Sequence, residues 1–161
     1  SRGPLRCAVQ DLSVIEMESG HWPQAFDAID RARTANPHAV EIRVIEARLH
    51  RRNGNSNRAL ELLSSLSDAE QAHETVTSEL AMNWILIGRP ARAAASWIHC
   101  LGAQSRPAAA GRMAINAAEA WIAAGSMDEA SLWLDQAEQL GGSPARIEAI
   151  RLSLPAVEDQ D

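Results

Sequence analysis

Residues 12–37 read LSVIEMESGHWPQAFDAIDRARTANP. Behind Gly20, Ala25, Phe26, Ile29 and Ala32 fall on one apolar stripe at helical spacing. Gly20 sits between two such helical stretches, and Pro37 closes the segment. The same arrangement returns further along the chain. Gly54 and Gly88 follow at intervals of 34 residues, and Gly125 comes 37 after Gly88. Ala25, Ala59, Ala93 and Ala130 keep step five residues behind each glycine. Seven residues further on come Ala32, Leu66, Cys100 and Ala137. Seven residues ahead of the glycines stand Ser13, Ala47, Ala81 and Ala118, all small. The three extra residues before the last interval fit a loop from Gly102 to Pro107.

Each glycine reads as a helix C-cap, where left-handed backbone is least costly without a Cβ. Pro37, Pro107 and Pro144 lie just before or at the start of following helices, where a missing N–H does no harm. The pattern predicts helices over 6–19, 23–35, 38–52, 57–67, 70–87, 90–101, 107–124 and 127–140. A last helix over 144–153 carries Ile147 and Ile150 on one face. The acidic tail, 155–161, reads as disordered.

A helix–turn–helix unit of 34 residues, with glycine in the turn, alanine five later and proline at the end, resembles the tetratricopeptide repeat. The resemblance rests on Leu12, Ser13, Gly20, Ala25, Ile29, Ala32 and Pro37 in the first unit and spans 6–140. The expected fold is all-α: a right-handed superhelical solenoid of four such repeats, about 6–39, 40–73, 74–107 and 108–142. A capping helix would occupy 144–154. The pattern also departs from the family. Gln71, Ser105 and Gly142 stand where the terminal proline would be. Val9, Arg43, Thr77 and Ala114 replace the early aromatic, and Glu46 replaces a leucine.

Composition narrows the chemistry. All 15 basic residues among the 161 are arginine, against 21 acids, for a net charge of −6. Without lysine there is no P-loop, no kinase lysine and no Schiff base. The acidic balance argues against duplex nucleic acid, and no apolar run approaches membrane-spanning length. Cys7 and Cys100 form no CxxC motif and lie more than two repeats apart, too far for a disulfide. The histidines show no HExxH or HxxxH spacing, so no metal or other cofactor is expected.

Two constellations resemble catalytic ones. Glu16 and His50 stand one repeat apart and could meet as a carboxylate–histidine dyad, or as a hydrogen-bonded pair at a repeat interface. No nucleophile or oxyanion site accompanies them, and the structural pair is the favoured reading. His99 and Cys100 are neighbours, but successive helical residues diverge by about 100°. Cys100 therefore reads as core. Trp84, Trp97 and Trp121 fall on core positions. Trp22 opens its helix half exposed, and Trp133, one place off the core column, is the candidate exposed aromatic anchor.

Resemblance to the family implies a non-enzymatic scaffold whose first helices line a groove for a protein or peptide. Its groove positions fall on Met17 and Glu18, on Arg48, Arg51 and Arg52, on Met82, Ile85 and Leu86, and on Ile115, Glu119 and Ile122. Gln10, Val14, Glu41, Val44, Ser78 and Arg112 complete the sketch. The expected partner has an acidic end for the arginines and apolar anchors for the rest. The alternative for the arginines is a solvated face paired with Glu18, Glu41 or Glu46. Other family roles are a segment of a secretion or exopolysaccharide-export assembly, or an accessory domain of a larger enzyme. The first helix has no cap before it, so further repeats or another domain are expected upstream.

Overall fold

The computed structural model describes residues 20–104 and 106–155. The expected helix over 6–19, with Glu16, Met17 and Glu18, and the tail beyond Pro155 lie outside the described residues. Those described are helical, with no strand among them. They fall into two units, one ending at Gln71 and the other beginning at Ala72.

In the first unit, α1 is Trp22–Ala35, α2 Val40–Arg52, α3 Ser56–Ser64 and α4 Asp68–Gln71. α1 packs on α2 and α2 on α3. Ala25 and Ile29 of α1 meet Ile42 and Leu49 of α2, with Trp22 and Phe26 half-buried around them. Ala59, Leu60, Leu62 and Leu63 give α3 its buried face.

The turn from α2 to α3 is built on Gly54, whose φ is +79°. Its N–H donates to the Arg51 carbonyl at 3.0 Å, and the Asn55 N–H reaches back to the His50 carbonyl at 2.8 Å. That pair of bonds satisfies carbonyls the helix end would otherwise orphan. Asn55 then caps α3, its side chain accepting from the Arg58 N–H at 3.1 Å. The same double closure recurs at Gly88, Gly125 and Gly141. Gly141, outside the 34-residue series, closes the turn that leads into the last helix as the predicted glycines close the earlier ones.

One pair of boundaries differs from the sequence reading. The helix expected over 57–67 ends at Ser64, and the one expected from 70 begins at Glu74. Ser67 is the reason. The Ser67 N–H and hydroxyl both donate to the Glu70 carboxylate at 2.8 Å, and the Glu70 N–H returns to the hydroxyl at 3.4 Å. This reciprocal box starts the separate single turn α4. Gln71 holds the break by donating to the Leu66 carbonyl at 2.7 Å.

In the second unit, α5 is Glu74–Leu86, α6 Pro90–Gly102, α7 Pro107–Ala123, α8 Met127–Gln139 and α9 Pro144–Ser153. Each packs on the next. Pro90, Pro107 and Pro144 occupy the first turns of α6, α7 and α9. α7 is buried nearly all round. Met113, Ala117 and Ala120 face Ala93, Trp97 and Cys100 of α6. Ala114, Ile115 and Ala118 face Leu134 and Ala137 of α8 and Ile147 of α9. Small side chains let backbones approach closely. A Cβ on Gly111 would lie 2.4 Å from the Gly142 nitrogen.

Two expectations are corrected by this packing. Ile115 is not a groove residue, because the α8–α9 side of the unit covers it to 1% exposure. Val44, sketched on the groove, is likewise buried in α2. Trp133 is not an exposed anchor either, since it is half-buried against both clusters of the second unit.

Candidate functional site

Helix α5 presents its apolar residues on two sides. Val76, Leu80 and Ala81 turn inward, while Met82, Ile85 and Leu86 remain 44%, 46% and 59% exposed. The exposed three stand at positions i, i+3 and i+4, so they form one stripe. Three large apolar side chains are therefore in contact with water on one turn of α5.

The stripe borders a groove of about 370 Å³. Met82 and Ile85 of α5 form one wall, Trp97 of α6 lies at its base, and Asn116, Glu119 and Ala120 of α7 form the other wall. Ion pairs tie its rims. Arg112 of α7 donates from Nε and Nη2 to the two Glu74 oxygens of α5, each at 2.9 Å. That fork raises the Arg112 pKa. Arg146 of α9 donates to Glu119 at 2.7 Å and to Asn116 at 3.0 Å. The rim carboxylates are thus neutralised, and the groove between them is mainly apolar.

Ile85 also lines a second cavity, of about 620 Å³, at the α5–α6 turn. Arg89 and Arg92 border it, with Ala123 and Ala124 from the end of α7. The Arg92 guanidinium lies 5.2 Å above the Trp84 ring.

The structure therefore brings together Met82, Ile85 and Glu119 of the expected set. Leu86 extends their stripe, and Ile122 is half-buried further along α7. Arg48, Arg51 and Arg52 lie in the other unit, at the C-terminal end of α2. Each of the three is already engaged by a neighbour. Glu74 and Arg146 escaped the sequence reading. The signal was present, since Arg146 follows Arg112 by one 34-residue interval.

The catalytic-looking constellations separate. His50 packs its ring 4.8 Å from Phe26, and burial pushes its pKa down against the pull of the Glu46 carboxylate. Glu16, its proposed partner, is outside the described residues. Glu46 is buried and accepts from Arg33 at 3.1 Å. Cys100 is fully buried, its thiol donating to the Ala72 carbonyl at 3.0 Å, while His99 is exposed. No cluster of three or more potential metal ligands occurs among the described residues. No described helix is long and apolar enough to cross a membrane.

The sequence matches no family model and no curated protein. Solved structures do match. A structure described as MamA MSR-1 C2 superposes with a TM-score of 0.60 at 17% identity, covering 86% of this chain and 78% of that one. The fold is tetratricopeptide-like. TTC0263, a thermophilic TPR protein of Thermus thermophilus, matches at TM-score 0.42 and 18% identity, over 93% of this chain and 96% of that one. BtubC (BKLC) from P. vanneervenii matches at 0.49 and 16%, over 94% and 84%. These likenesses are of fold alone. Within this fold, the glycine-closed pairs α5–α6 and α7–α8 are the helix–turn–helix elements that frame the groove.

Proposed function

We propose that the chain is a protein-interaction module, and that the groove between α5 and α7 holds the apolar side chains of a partner segment. One observation carries this reading: Met82, Ile85 and Leu86 are exposed at helical spacing along a groove with Trp97 at its base. Covering such a stripe removes apolar surface from water, at about 25 cal/mol per Å². The neutralised rims favour a segment recognised by shape and apolar contact. A chain without lysine also lacks the residue that P-loop, kinase and Schiff-base chemistry need.

The test is selection of binders from a displayed random-peptide library on the full chain, followed by Met82→Asp and Leu86→Asp together. Both residues are exposed, so the helical circular dichroism should be retained. Selected peptides should lose at least tenfold in affinity for the double variant. Unchanged affinity, or no peptide selected by the wild type, would sink the groove reading.

A further inference from the structure

We propose that the cavity at the α5–α6 turn seats a carboxylate of the partner segment, held by Arg89 and Arg92. This rests on the groove reading, because Ile85 lines both cavities and so sets them side by side. Charge complementarity singles out this cavity in an acidic chain. Arg31, Arg33, Arg58, Arg112, Arg146 and Arg151 each hold an Asp or Glu. Arg89 and Arg92 hold none among the described residues, and no carboxylate lines their cavity. The Arg92 guanidinium lies over the Trp84 ring, 5.2 Å from its centroid. A guanidinium in a cation–π contact keeps N–H groups able to donate to an anion.

The surroundings favour a peptide carboxylate. Ile85, Ala123 and Ala124 put apolar surface beside the two cations, so the cavity suits an anion carried on an apolar chain. From Met82 to Arg89 is seven residues of helix and turn, roughly 10 Å, which an extended peptide spans in about three residues. The segment should therefore carry an acidic residue about three positions from its apolar anchor.

With a serine-for-leucine aspartate pool as control, two amidated random-peptide pools test this. They are identical except for aspartate or asparagine three positions after a fixed leucine. Retention is measured on the immobilised full chain, on Arg89→Gln with Arg92→Gln, and on the Met82→Asp, Leu86→Asp variant. The wild type should retain the aspartate pool about tenfold better, the scale of a charge-assisted hydrogen bond. The arginine variant should lose that preference yet keep its retention of the asparagine pool. Absence of the preference in the wild type, or its survival in the arginine variant, overturns the proposal and leaves the groove reading intact. Equal retention of an aspartate pool with serine in place of the leucine also overturns it, because the arginines would then bind any anion. Retention of neither pool by the wild type removes the groove reading and this proposal with it. Retention of both pools by the Met82→Asp, Leu86→Asp variant at wild-type levels removes both as well.

Discussion

Gly102 and Gly111 are both helical glycines with ordinary backbone angles, yet alanine at the two should act in opposite directions. Nothing lies within 4 Å of a Cβ built on Gly102, at the end of α6. Gly102→Ala should therefore gain up to about 1 kcal/mol, because the unfolded chain loses freedom it would otherwise spend. At Gly111 the new Cβ would meet the Gly142 nitrogen at 2.4 Å and its Cα at 2.7 Å. Those atoms are backbone and cannot swing aside. Gly111→Ala should cost about 1–3 kcal/mol, the range of overpacked cores. Denaturation midpoints measure both. Equal signs would mean that α7 and the α8–α9 turn can part without penalty.

Ser67 and Glu70 decide where one helical element stops and the next begins. The Ser67 N–H, and then its hydroxyl, hold the Glu70 carboxyl below its ordinary value of 4.5. A depressed carboxyl stabilises the fold above its unfolded pKa, and that contribution fades as pH falls through the folded value. Ser67→Ala removes the hydroxyl and should return the Glu70 pKa part of the way toward 4.5 in an NMR titration. No movement would show that the hydroxyl's half of the box does not form. At this same scale the sequence was readable and misread together. Glycines at 34-residue intervals placed the turns, because left-handed backbone singles out one residue type. Ser67-Asp68-Ala69-Glu70 was an equally plain start signal, overlooked because the apolar pattern runs across it. The stripe on α5 was expected only through the resemblance, whose groove positions fall on Met82, Ile85 and Leu86. Burial of Ile115 and Trp133 was not, because it depends on where α8 and α9 come to lie, and side-chain type records no such placement.

On the scale of the whole chain, each unit has its own core. Residues 72–161 contain α5 to α9 with both clusters that surround α7. Helical arrays gain stability from nearest-neighbour interfaces, so this part should fold without residues 1–71. A chain of 72–161 should keep helical circular dichroism and a single thermal transition. A broad, non-cooperative melt would show that it leans on the first unit. Within this part α7 has the two most extensive interfaces, with α6 on one side and α8 on the other. These contacts join chain neighbours, the kind that form soonest because little loop entropy opposes them. Assembly of this half should therefore have a direction in time, with α7 pairing early with either neighbour. α9, whose main packing partner is α8, should dock last and be the first to lose amide protection in hydrogen exchange.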